Sequence, residues 1–344
     1  MLAPGGKCSE GCSRSAHHFS FLAPFRGVLR TLNTLKTAGF DSIMMRRTLG
    51  YVLDRLPYVS ALRRIARDAG AFPPGHFYSP IPTKAEVARH VEAMRAGKSE
   101  VRDIRFNHQQ QYQALQAFAG FYNDLPFPNQ RSETCRYYYD QTAFPHPDAI
   151  FLYSFLRQIQ PARIIEVGSG LSSAVILDTV DRFFHAAPEI TFVEPYPVHL
   201  NELLRDADRK SVRILERQVQ DVPVDVFLSL QAGDLLFIDS SHVLKCGSDL
   251  QFLIFEVLPR LPVGVYVHFH DVFETFEYPE EWLRSGRYWN EVYLLRAFLT
   301  NNNAWEIYFF ANYVRKRFEE FLEQKMPLCL NNIGGSLYLR RVSP

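Results

Sequence analysis

The sequence lacks any apolar run long enough to cross a bilayer, because Glu256, Arg260 and two prolines break the best candidate. It lacks an uninterrupted apolar signal core near its start, so the expected state is soluble and the expected compartment cytoplasmic, with no integral membrane association. Cysteine is scarce: Cys8, Cys12, Cys135, Cys246 and Cys329 are scattered and odd in number, which argues against a disulfide framework. Neither sign of charge is in excess. A net charge of +1 gives no global pointer to nucleic acid. There is no internal repeat. What is abundant is apolar and aromatic: hydrophobic residues make up 47% of 344, and aromatics 14%, enough for a large core.

The organisation reads in three parts. Residues 1–20 are Gly/Ser-rich around Cys8 and Cys12 and read as a disordered tail rather than a metal site. The biological start is open, with Met44 and Met45 as downstream candidates. Residues 21–146 form a helical, then Pro- and aromatic-rich extension. Within it, Arg46, Arg47, Arg55, Arg63, Arg64 and Arg67 accompany apolar residues at helical spacing, which suits either an anionic membrane surface or an ordinary packed helix. Residues 71–82 carry four prolines, so they are predicted to be extended rather than helical. A helix over 83–96 is predicted, with Thr83 and Glu86 at capping-box spacing, and another over 107–123.

From residue 147 the pattern alternates. A helix over 147–159 precedes strands at 163–167, 190–194, 211–216, 234–239, 264–270, 304–310 and 335–341. Helices lie at 171–184, 197–207, 223–230, 248–260 and 289–302, with a polar helical segment at 312–326. Such alternation means an α/β fold with a mostly parallel sheet of seven strands. Residues 147–344 are therefore expected to be the ligand-binding, catalytic domain.

The most informative stretch is Arg163-Ile-Ile-Glu-Val-Gly-Ser-Gly170. A buried strand ends at Glu166, turns through Gly168, Ser169 and Gly170, and enters a helix. The glycines allow positive φ and close backbone approach by a ligand. The next strand ends in Glu194, where an acid can accept hydrogen bonds from both ribose hydroxyls. A dinucleotide site usually has a third glycine, where this chain has Ser173. Glu166 would repel a pyrophosphate but suits an amino-acid ammonium. This E-x-G-x-G turn with its strand-ending Glu resembles the class I S-adenosylmethionine-dependent methyltransferases. The resemblance implies a Rossmann-like sheet, the α-helical extension lying before it, and S-adenosyl-L-methionine as cofactor. It makes Glu166, Gly168, Ser169, Gly170 and Glu194 the expected cofactor-binding residues, with Gln220 and Asp221 placed for the adenine and Asp239 beside them.

A second group of residues falls at the same sheet edge. Strand 234–239 ends in Asp239 and is followed by Ser240-Ser241-His242. Strand 264–270 runs through His268 and His270 to Asp271. Ligands bind at the carboxyl ends of parallel strands, and burying so many titratable groups without function is costly. Asp239-x-x-His242 with His270-Asp271 is similar to the pattern of metal-dependent small-molecule and sugar O-methyltransferases. That resemblance makes His242 a general base, with Asp239 and His270 beside it as catalytic groups. It makes Asp239, His270 and Asp271 ligands of a divalent magnesium or manganese ion. His270 departs from the family's carboxylate and weakens an all-oxygen site. Two histidines and an acid also admit an iron facial triad.

Over residues 71–341, from Gly75-His-Phe-Tyr through Arg136-Tyr-Tyr-Tyr139 to His268-Phe-His-Asp-Val-Phe273, the chain looks like an uncharacterised bacterial family of class I methyltransferases. Methyl transfer to a small-molecule or glycan hydroxyl is the expected activity. Partners would be that acceptor and no nucleic acid, with a homo-oligomer left open. An NAD-linked oxidoreductase and a non-catalytic binding protein on the same fold are the competing readings.

Overall fold

In a computed structural model, the described residues are Ala61, 70–97 and 101–344. The expected tail and most of the basic segment lie outside them. The chain divides at Pro82 into two units. In the first, residues 70–82 form turns without helix or strand, as the prolines require. Phe72 stacks on His76 at 4.5 Å, and the Gly75 N–H donates to the Ile81 carbonyl at 2.8 Å.

The second unit opens with α1 (Lys84–Arg95). Its capping box is formed as predicted: the Thr83 N–H donates to Glu86 at 2.7 Å, and the Glu86 N–H donates to the Thr83 hydroxyl at 3.2 Å. Next come α2 (His108–Ala119) and α3 (His146–Ile159). The sheet contains β1 (Arg163–Val167), β2 (Glu189–Val193), β3 (Val212–Leu215), β4 (Leu235–Ile238), β5 (Tyr266–Phe269), β6 (Trp305–Phe310) and β7 (Leu337–Arg341). Helices α4 (Leu171–Phe183) and α5 (Glu291–Leu299) follow β1 and precede β6. Helices α6 (Ala311–Arg317) and α7 (Glu319–Lys325) stand between β6 and β7, where a polar helical segment is predicted.

Strand order is β3-β2-β1-β4-β5-β7-β6. β7 runs antiparallel to both β5 and β6, and the other pairings are parallel. The central strands β4 and β5 are buried throughout, as continuous apolar runs covered on both faces must be. Alternate residues feed two cores: Ile164, Phe192, Leu235 and Tyr266 enter one, while Ile165, Val193, Leu236 and Val267 enter the other. The β6 edge is covered by α2, whose buried Gln111 accepts a hydrogen bond from the Phe310 N–H at 2.8 Å.

Two predicted helices are broken. Residues 248–260 pass from α-helix (Asp249–Phe252) through a π turn (Leu253–Val257) to a 3-10 turn (Leu258–Arg260). Pro259 lacks the N–H an α-helix would direct at Phe255, so the ladder is re-paired before it. The helix expected at 197–207 ends at Leu203. Asp208 then accepts the Arg205 N–H at 2.7 Å and starts a separate turn.

Candidate active site

The turn after β1 places two glycines with different duties. Gly168 has φ +80°, and a Cβ built there would lie 1.9 Å from the Asp239 carbonyl oxygen. The neighbour that demands glycine is thus the backbone at the end of β4. Gly170 has no atom within 4 Å of its Cβ position, so this residue leaves the open approach. The Ser169 N–H and hydroxyl donate to one oxygen of Glu194, at 3.1 and 3.3 Å, and the Tyr196 N–H donates to the other at 2.9 Å. Glu194 is thereby pinned to the glycine turn.

Glu166 faces elsewhere. It is fully buried, and its two oxygens accept from the hydroxyls of Ser172 at 2.5 Å and Ser173 at 2.7 Å, in the first turn of α4. Burial pushes its carboxyl up to about 8, with Asp239 and Glu194 reinforcing the shift against the two hydroxyls. Closed by two serine hydroxyls, Glu166 helps to shape the turn from beneath.

Two clefts open at the carboxyl ends of the strands. One, of about 440 Å³, is bounded by Gly168, Glu194, Gln218, Gln220, Asp239 and Ser241. The Gln220 amide donates to Gln218 at 2.7 Å and to the Gly247 carbonyl at 3.1 Å. Asp221 is exposed and does not line this cleft, whereas Gln218 does. The other, of about 570 Å³, is bounded by Asp148, His270, Asp271, Trp282, Arg287 and Asn332.

His242 stands between the clefts. Its Nε2 lies 3.4 Å from Asp239 and 3.7 Å from Asp271, and its Nδ1 lies 2.7 Å from Glu291. Trp289 packs on the ring at 4.5 Å. His242 and Asp271 both have φ +58°, a region most side chains avoid. The N–H groups of Asn290 and Glu291 donate to the His242 carbonyl at 3.1 and 3.2 Å, which fastens the start of α5 to this loop. Burial alone would lower the imidazole; the hydrogen bonds and charges of Asp239 and Glu291 prevail and raise it to about 11. Burial also raises Asp271 above its ordinary value. Asp239 is held below its own despite burial, by His270 and His242.

The sheet order and these strand-end acids agree with what a family comparison finds. The methyltransferase domain family matches residues 165–272. Residues 165–272 of this chain are thus a methyltransferase domain. An uncharacterized protein of Archaeoglobus fulgidus is 33% identical over 174 residues, covering 48% of this chain and 77% of that protein. Similarity to solved structures is slight. The SAH-bound methyltransferase PaMTH1 of Podospora anserina is 16% identical with a TM-score of 0.37, covering 76% of this chain and 97% of that one. The O-methyltransferase TomG of Streptomyces achromogenes, in complex with SAM, is 14% identical with a TM-score of 0.35, covering 68% and 90%.

The expected metal set is not shown here. Among the described residues no group of three or more His, Cys, Asp or Glu is arranged to hold a metal ion. Asp239 and Asp271 flank the imidazole of His242, which Asp239 and Glu291 raise above its ordinary value. His270 is buried, 3.6 Å from Asp271, with Nδ1 unpartnered. Neither magnesium or manganese on Asp239, His270 and Asp271 nor an iron facial triad is shown by this arrangement. His268 stacks on Phe237 at 3.9 Å, has neither nitrogen bonded and is pushed well below its ordinary value by burial. It is a neutral core residue.

Glu291 and Trp289 were not singled out by the sequence. An acid in a helix's first turn reads as a partner of the helix dipole, and no local signal joins it to His242. Arg136-Tyr-Tyr-Tyr139 splits between roles. Buried Arg136 ties Asp178 at 2.8 Å, Asp181 at 2.8 Å and Asp208 at 2.6 Å. Tyr137, Tyr139 and Phe144 are core, while Tyr138, with Arg136, borders a groove beside Ser169 and Gly170.

Proposed function

We propose that this protein methylates a hydroxyl of a small molecule or glycan, with cofactor in the Glu194–Gly168 cleft and acceptor in the Asp271 cleft. The observation that carries this is the Asp239–His242–Asp271 bridge between the two clefts. Bound S-adenosylmethionine supplies an electrophilic methyl group on a sulfonium. Gly170, open at its Cβ position, borders the groove beside Ser169 and leaves the backbone of the turn accessible from that side. Glu194 keeps about one acceptor site beyond its three protein donors, enough for one ribose hydroxyl. Gln218 and Gln220 offer side-chain amides at the adenine end.

At the acceptor, Asp271 takes the hydroxyl proton as the oxygen is methylated. It borders the acceptor cleft, and its raised basicity suits it to that task better than an ordinary aspartate. His242, raised to about 11, holds its own proton at neutral pH and is a positioning residue for Asp239 and Asp271. Glu291 in turn orients His242 through Nδ1. Juxtaposition of the two substrates supplies most of the rate.

Calorimetry with S-adenosylhomocysteine and with NAD tests the cofactor assignment. Wild type binds S-adenosylhomocysteine with or without chelator, and Glu194→Ala weakens it by about tenfold or more, the loss of charge-assisted hydrogen bonds. Binding of NAD in place of S-adenosylhomocysteine rules the reading out.

A further inference from the structure

Arg287 is a cation paired with no acid among the described residues, although its neighbours do form ion pairs: Glu280 accepts Arg95 at 2.8 Å and Arg284 at 2.7 Å. Its guanidinium lies over two indoles, 5.0 Å from Trp282 and 5.7 Å from Trp289, and its backbone N–H donates to the Trp282 carbonyl at 3.0 Å. Trp282 and Trp289 meet edge to face at 5.5 Å, and Trp289 also packs His242. One aromatic wall thus sets the place of both the site imidazole and this guanidinium. The indoles attract the cation without consuming its N–H donors. Glu281 borders the same cleft and makes no ion pair with Arg287.

A guanidinium fixed in this way matches a planar or tetrahedral oxyanion, which it binds through two parallel hydrogen bonds. It shares its cleft with Asp271, the proposed proton acceptor. We propose that the methyl acceptor is an anionic hydroxyl compound, a sugar bearing a carboxylate or a phosphate, whose anion is held by Arg287 while its hydroxyl meets Asp271. This rests on the methyl-transfer reading above and adds the class of acceptor. The polar groups around Asp271 receive the hydroxylated part, and Arg287 at the exposed rim selects for charge.

The chain has three tryptophans, two of which carry Arg287, so intrinsic fluorescence reports on this subsite. The protein is saturated with S-adenosylhomocysteine and titrated with glucuronate, glucose 6-phosphate and neutral glucose. At least one anion binds about tenfold or more tightly than glucose, and which one does so separates carboxylate from phosphate recognition. Arg287→Gln abolishes that preference and Arg287→Lys restores part of it, both with unchanged S-adenosylhomocysteine affinity and unchanged thermal unfolding. Equal binding of all three sugars, no binding of either anion, or a preference that survives Arg287→Gln overturns the proposal. Failure of S-adenosylhomocysteine to bind wild type instead overturns the cofactor reading.

Discussion

Alanine at Gly168 and at Gly170 separates folding from ligand access within one turn. At Gly168 the new methyl carbon would stand 1.9 Å from the Asp239 carbonyl oxygen, at φ +80°. The conformation alone costs about 1–2 kcal/mol for a non-glycine residue. Relieving the clash means moving the β1 and β4 ends apart by more than about 1 Å. That strains two backbone hydrogen bonds, Gly168 N–H to Val193 at 3.0 Å and Asp239 N–H to Val167 at 2.9 Å. At about 0.5–1.5 kcal/mol each, the total reaches roughly 2–5 kcal/mol. Gly170 has extended φ and open space at its Cβ, so Gly170→Ala changes stability by less than about 1 kcal/mol. Its methyl group would occupy ligand space, where overpacking costs about 1–3 kcal/mol, or roughly 5- to 150-fold in S-adenosylhomocysteine affinity. Urea unfolding and calorimetry on both variants check this. A Gly170→Ala protein that binds S-adenosylhomocysteine as wild type does would show that the ligand does not approach there. A Gly168→Ala protein of wild-type stability would show that the β4 contact relaxes freely.

Stability is expected to fall as pH rises through two windows. Glu166 and His242 are both raised in the folded protein, so the protonated folded state is favoured and protection is lost between about 4.5 and 8 for Glu166 and between 6.5 and about 11 for His242. Urea unfolding at several pH values should show Glu166→Gln flattening the first window only; an unchanged profile would place Glu166 in the ordinary carboxylate range. Asp271→Asn should lower turnover by about 10²–10⁴-fold, the range for a lost proton acceptor, with S-adenosylhomocysteine affinity nearly constant. If His242→Gln removes turnover while Asp271→Asn keeps it, the proton acceptor is His242 instead. Arg136→Met leaves Asp178 and Asp208 buried without their cation and should cost about 3–5 kcal/mol in denaturant unfolding; a loss under 1 kcal/mol would mean the acids take up protons or water at little cost.

What was legible in the sequence is what neighbouring residues decide among themselves. The Thr83–Glu86 box, the strand–turn–helix around Gly168 and the alternation of apolar runs depend on spacings of a few residues, and each appears in the structure at nearly its predicted bounds. The same locality brought Glu194, Asp239, His242, His270 and Asp271 to one sheet edge, because strand ends in a parallel sheet share an edge.

What tertiary structure alone decided is the state of those groups. Glu291 reaches His242 across 49 positions and, with Asp239, raises the imidazole above its ordinary value. Phe237 and Tyr338, paired to His268 from flanking strands, make that histidine a neutral core residue. Two hydroxyls close Glu166 away from the ligand space. Protonation depends on burial and on charges gathered from distant parts of the chain, and these fall off with distance in space rather than with separation in sequence. Residue identity and order therefore determined where the titratable side chains lie, and only the folded environment determined which of them carry charge.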